Sequence, residues 1–477
     1  MAKEIRLNAF DMNCVVHQSA GLWRHPRDRS DQYTKLDYWI ELAKILERGK
    51  FDALFIADVL GVYDVYGGNV DTALAEATQV PLNDPVVLIP AMSYATTHLG
   101  FGVTCTLSFE PPYPFARRMS TLDHLTNGRI GWNIVTGYLN SAAKGVGLDG
   151  QTSHDLRYRI GDEYMEVMYK LWEGSWEDEA VIRDRKTGLF TRPDKVHKVE
   201  HEGEYYRVNA IHLSEPSPQR TPVLYQAGAS NAGCDFAAKH AECVFLLGPS
   251  KQVVGPRVAD IRARAIRQGR HPNDILIFTL MTVIVGRTQQ EAEAKYDDYR
   301  SFISHRGALT LLAGWTGIDF SKFQLDEVLS HVRNDAINSA VDAFTIADPK
   351  RKWTVREVAG FVGIGGMGAV VVGSPQSVAD QLQAWIDETD VDGFNLAYAV
   401  TPESFSDFVE LVVPELQRRG VYKRDYAPGT LREKLYGVGH SRLPNTHPAA
   451  SYRHSDGHPR EITGEAELSE NLQSSHE

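Results

Sequence analysis

From the N-terminus to about Gly429, short apolar runs alternate with stretches whose apolar residues recur every three or four positions. The runs Ile5–Phe10, Asp52–Ala57, Gly100–Cys105, Ile130–Val135, Pro222–Ala227, Cys243–Leu247, Ile275–Val285 and Gly393–Tyr398 are rich in Val, Ile, Leu and Phe. They lack strict alternation, as strands covered on both faces do. Between them, Trp39, Leu42, Ala43 and Leu46 fall at i, i+3, i+4 and i+7, and Gly49 is placed to supply a left-handed stop. Ile160, Tyr164, Met168 and Leu171 form a second stripe, ended by Gly174. Ser374 offers an N-cap and Pro375 a first helical residue for a helix over Gln376–Asp387. Strands and helices in this order predict an α/β fold, a parallel (β/α)8 TIM barrel.

A barrel needs about 250 residues, and the excess over that gathers in three places. Trp176–Ser217 is charged and turn-rich, and Arg300–Met367 separates the seventh and eighth predicted strands. Residues 430–477 read as a polar C-terminal extension to a barrel domain over 1–429. The extension carries His440, His447, His454 and His458. His454 and His458 would share a helical face, but Gly457 and Pro459 oppose a helix there and no cysteine is near. A mobile or partner-wrapping segment is expected, with no metal site.

Charge narrows the partners. With 50 basic and 62 acidic residues the net charge is −12, and the basic run Arg262–Arg270 reads as the wet side of a helix. Nucleic acid is not an expected partner. No run approaches the roughly 18 apolar residues of a membrane span, and the N-terminus lacks a signal peptide's apolar core. Cys14, Cys105, Cys234 and Cys243 are spaced as free thiols, which places the chain in a reducing cytoplasm.

In such a barrel the C-terminal ends of strands face the active site. Asp58 ends the second predicted strand, Thr104-Cys105-Thr106 the third, and Trp132-Asn133 with Thr136 the fourth. Gln226-Ala227-Gly228-Ala229-Ser230 follows the fifth and leads into a helix from about Asn231. That helix start could bind a phosphate monoester, and an ordinary Ser or Asn cap accounts for the same residues equally well. His154 and Tyr158 lie one turn apart, so two polar aromatic side chains share a face. Gly363-Ile-Gly365-Gly-Met-Gly368 matches the dinucleotide fingerprint, but a strand rather than a helix follows it, so a hinge is expected instead. Trp23, Tyr63, Tyr66, Phe109, Tyr113, Trp315 and Phe320 supply aromatics to the predicted rim, the composition of a lid over an apolar pocket.

Read together, Glu47–Asp58 (ERGKFDALFIAD), Ser120–Arg129, Trp132–Thr136, His154–Tyr158, Pro222–Ser230 and Gly314–Asp319 resemble the bacterial-luciferase-like flavin monooxygenases. The likeness is to their nitrilotriacetate and dibenzothiophene-sulfone monooxygenase branch, and runs from about Ile5 to Leu435. It implies a barrel that takes reduced FMN made by a separate NADH-dependent flavin reductase. Family FMN contacts carry over onto Asp58, Thr104, His154, Tyr158 and Ser230, with Tyr158 and Ser230 at the phosphate. His17 and Asn133 are the candidate catalytic residues; Trp23, Tyr63, Tyr66, Phe109, Trp315 and Phe320 are the candidate substrate pocket. The expected function is a cytoplasmic two-component monooxygenase, forming a dimer or tetramer. Its expected reaction is oxidation of a small organosulfur compound, dimethyl sulfide to methanethiol and formaldehyde. Trp315 stands where the sulfone-cleaving members have His, and the lid lacks the cations an aminopolycarboxylate would need. The alternatives are a monooxygenase of another organosulfur compound, an alkanesulfonate or an aminopolycarboxylate, or a non-catalytic flavin-binding relative.

Overall fold

The computed structural model describes residues 3–228, 230–328 and 353–454. Ala229, the middle of the long insertion, and the tail from 455 with Gly457, His458 and Pro459 lie outside the described residues.

Each of the eight predicted runs forms a strand of one closed barrel: Arg6–Met12, Ala53–Ala57, Gly100–Thr106, Ile130–Val135, Val223–Ala227, Cys243–Leu246, Leu276–Val285 and Gly393–Ala397. All neighbours are parallel, and the eighth closes on the first with Arg6 opposite Gly393. The seventh strand runs ten residues, longer than its neighbours. Its first part pairs with the sixth strand, and Met281–Val285 pairs with an added strand, Ala369–Gly373.

Alternate residues of each strand face opposite ways. Leu7, Ala9, Leu54 and Ile56 join Trp39, Leu42 and Leu46 in the core between strands and helices. Inside the barrel Phe55, Tyr225, Phe245 and Phe278 pack together, with Phe55 and Phe245 edge to face and their ring centres 4.2 Å apart. Gly131 makes room for them, since a Cβ there would meet the Tyr225 ring at 2.4 Å.

The stretch from residue 430 begins with a stopper at the N-terminal end of the barrel. Leu431 and Leu435 join the interior rings, and Arg432 is buried against Glu242 (2.6 Å) and the carbonyls of Thr221 and Pro222. Further on, His447 is buried against the His240 carbonyl.

Three local expectations need revision. The helix Leu36–Arg48 forms, but Gly49 is not left-handed (φ −77°); Lys50 takes that conformation at φ 60°. Gly49 is small because a Cβ there would meet Val409 at 2.4 Å. The helix His154–Tyr169 reaches Gly174 only through a wider π turn, Lys170–Gly174. The run Gly363–Gly368 is no hinge but a buried, close-packed turn, in which Cβ atoms on Gly365 and Gly368 would meet Thr282 at 2.4 Å and Leu280 at 2.6 Å. The helix Pro375–Thr389 then starts at its expected Ser374 cap.

The first insertion folds as two antiparallel hairpins, Val181–Asp184 with Leu189–Thr191 and Val199–Glu202 with Arg207–Ala210. The second supplies helices His305–Thr316 and Val355–Val362. These two pack with Val16, Ala20, Tyr63, Leu139 and Ala142 into a second hydrophobic core over the barrel mouth.

Candidate active site

The strand ends carry their polar residues to the barrel mouth. Asp58 follows the second strand, and its carboxyl is pushed up to about 7, mainly by burial and then by Asp84, against a backbone bond from Val59. On the next strands Thr104 and Asn133 are in register, and the Asn133 amide donates to the Thr104 hydroxyl at 2.9 Å. Both are buried, and the Asn133 Oδ1 has no partner in the protein.

After the fifth strand, the helix Asn231–His240 starts from Ser230, whose hydroxyl accepts from the Gly233 N–H at 3.1 Å. Tyr158 comes over this turn from the helix His154–Tyr169. Its hydroxyl flanks Gly233 together with that of Ser230. A Cβ on Gly228 would come within 3.3 Å of the Tyr158 hydroxyl and one on Gly233 within 2.8 Å, so the turn is a bare-backbone cradle. His154 meets Tyr158 edge to face (5.2 Å between rings), and its Nδ1 bonds Asp155.

His17 is buried edge-on against Phe10 (4.4 Å), and burial lowers its pKa to about 3. The imidazole is therefore neutral, and its Nδ1 has no protein partner. Tyr63 is buried, and Tyr66 and Phe109 pack partly buried on the lid core with Trp315. Phe320 is fully buried in that core beside Phe323, whereas Trp23 sits on a surface turn at 40% exposure. Two participants were not singled out from sequence, Gln79 and Tyr138. The Tyr63 hydroxyl bonds Gln79 Oε1 and the Tyr138 hydroxyl, each at 2.8 Å. Tyr138 lies only two residues beyond Thr136, so extending the fourth strand end would have found it; Gln79 carries no such signal.

One cluster of metal-ligand types occurs among the described residues, Glu177, His197 and His454. Its groups satisfy one another: His197 bonds Glu177 at 2.7 Å, His454 bonds the Gly174 carbonyl, and the two rings stack 4.0 Å apart. Lys195 also pairs with Glu177. The four cysteines are free and buried. No helix among the described residues is long and apolar enough to cross a membrane.

With this geometry in place, comparison with known proteins is decisive. Residues 18–392 match the model of the luciferase-like monooxygenases. The chain belongs to that family. One luciferase-like relative, dimethyl-sulfide monooxygenase of Hyphomicrobium sulfonivorans, is 55% identical over 95% of this chain and 94% of its own. Long-chain alkane monooxygenase of Geobacillus thermodenitrificans is 51% identical over 95% of this chain and 99% of its own. Among solved structures, riboflavin lyase with modified FMN and riboflavin has a TM-score of 0.87 at 36% identity, covering 95% of this chain and all of that one. The eight-stranded parallel barrel is thus the luciferase-like fold, and the chain is a monooxygenase of that family.

Proposed function

We propose that this monooxygenase uses reduced FMN, supplied by a separate NADH-dependent reductase, to convert dimethyl sulfide to methanethiol and formaldehyde. The observation that carries the cofactor assignment is the cradle at Gly228 and Gly233, where Ser230 and Tyr158 bring hydroxyls to a helix N-terminus suited to a phosphate. The unpartnered Asn133 Oδ1 offers an acceptor, and the partly buried Asp58 a carboxyl whose pKa is raised to about 7, for the polar edge of a flavin. His154 stands beside Tyr158 as a further phosphate-end group. When bound, reduced FMN supplies the two electrons and the oxygen activation by which dimethyl sulfide and O2 give methanethiol, formaldehyde and water.

The chain's own residues bind, orient and keep water out. Tyr63, Tyr138 and Phe109 come from the loops after three strands, and Trp315 from the helix His305–Thr316, to an apolar lid. A compact neutral thioether suits such walls. His17 and Asn133 remain the groups positioned to guide the reacting atoms, His17 as a neutral imidazole. The 55% identity to a protein named for dimethyl sulfide supports the substrate.

The deciding experiment measures headspace methanethiol from the purified protein with dimethyl sulfide, O2, NADH, FMN and a generic flavin reductase. Methanethiol that requires both protein and flavin establishes the reaction. Its absence removes dimethyl sulfide as the substrate. We also propose a homo-oligomer, supported by Val87, Tyr94 and Leu125, exposed apolar residues on neighbouring segments; light scattering tests it.

A further inference from the structure

The lid holds a hydrogen-bonded line of rings whose directions are fixed by its donors. The Gln79 amide N–H donates to the His17 carbonyl at 3.0 Å, which turns Gln79 Oε1 toward Tyr63. Tyr63 donates its single proton to that oxygen, so Tyr138 must be the donor in the 2.8 Å contact between the two phenols. Burial holds both phenols above their usual pKa, Tyr138 at about 12, so the line keeps its protons at neutral pH.

The backbone is shaped to hold this arrangement. A Cβ on Gly314 would strike the Tyr63 ring at 2.4 Å, so the helix and the ring are in face contact. Tyr63 is 3% exposed, while Tyr138 and Trp315 are half-buried. The three rings come from the loops after the second and fourth strands and from the second insertion. They therefore meet above the strand ends that carry Asp58 and Asn133.

We propose that Tyr138, hydrogen-bonded to Tyr63, and Trp315 beside it in the lid core form the end wall of the substrate chamber and limit the substrate to a chain of a few heavy atoms. Tyr138 is the specificity-determining residue. The inference rests on the dimethyl sulfide reading above, and extends it to what the chamber rejects: longer dialkyl sulfides and long alkyl chains. A rigid wall discriminates by size because each methylene that cannot be accommodated changes selectivity by about tenfold or more.

The test uses the full chain and the variants Tyr138→Ala, Tyr138→Leu and Tyr138→Phe, each checked by thermal melting. Turnover of dimethyl, diethyl, dipropyl and dibutyl sulfide is measured with a generic flavin reductase, and binding of the same sulfides is measured by tryptophan fluorescence. The wild type and Tyr138→Phe are expected to lose kcat/KM steeply with length. In Tyr138→Ala, and more weakly in Tyr138→Leu, the dibutyl-to-dimethyl ratio is expected to rise at least about tenfold. An unchanged length profile in the folded Ala and Leu variants overturns the inference, as does a wild type that accepts dibutyl sulfide as well as dimethyl sulfide. If the wild type converts no sulfide, the functional reading fails by itself and the binding titration decides: dibutyl sulfide bound by the Ala variant and not by the wild type upholds the wall, and equal binding overturns it.

Discussion

The Asn133 amide donates to the Thr104 hydroxyl across 2.9 Å and leaves its own carbonyl oxygen buried without a protein partner. A buried acceptor left unpaired is costly, so it is tolerated where a ligand completes it. Replacing Asn133 by Leu removes the orphan and its need together. We expect Asn133→Leu to melt no lower than the wild type while binding reduced FMN about five- to tenfold more weakly, by the energy of one hydrogen bond. Anaerobic titration and thermal melting read the two effects separately.

Ser230 has two duties that one experiment can divide. Its hydroxyl caps a helix, and the loss of a cap costs about 1 kcal/mol of stability. If it also meets a phosphate, Ser230→Ala should weaken reduced FMN and leave reduced riboflavin nearly unaffected. Equal losses for both flavins would count against a phosphate at this helix.

Asp11 is fully buried, and burial raises its pKa to about 7, opposed by the hydrogen bond from the Met12 N–H. Between about pH 4 and that value the native protein keeps a proton that the unfolded chain has lost, so stability falls as pH rises through the window. The Tm of Asp11→Asn should fall less than that of the wild type across the same window. Parallel curves would show that Asp11 contributes no such slope.

Arg432 is sealed beneath the barrel against Glu242. Removing one member of a buried ion pair strands the other, at about 3–5 kcal/mol. Arg432→Ala is expected to lower Tm sharply, and truncation after Gly429, which also takes Leu431 and Leu435 from the interior, to lower it further. Circular dichroism melting checks both.

These cases show what kind of information the sequence carries. The strands were legible because each is apolar on both faces, and their polar ends because Asp58, Thr104 and Asn133 break apolar runs. Helix starts were legible where Ser374-Pro375 or Ser230 mark them locally. The stopper was not, because Leu431, Arg432 and Leu435 sit in a polar stretch and acquire meaning only from Glu242 and the rings 190 or so residues away in the chain. The glycines of 363–368 misled for a related reason: their smallness answers to Thr282 and Leu280, which no local pattern reveals. Trp23 and Tyr63 look alike in composition, yet one is largely open to solvent and the other closed.

The two hydrophobic cores divide the molecule's labour. Phe236, six residues after the capping Ser230, belongs to the core shared by strands and outer helices, whereas Tyr63, Tyr138 and Trp315 belong to the second core over the mouth. The groups assigned to the phosphate end and those assigned to the lid thus pack in different cores. The barrel is in this sense a fixed socket and the lid an exchangeable fitting. Transplanting the second insertion with the loops that share its core should carry a substrate range from one luciferase-like relative to another while leaving the flavin end untouched.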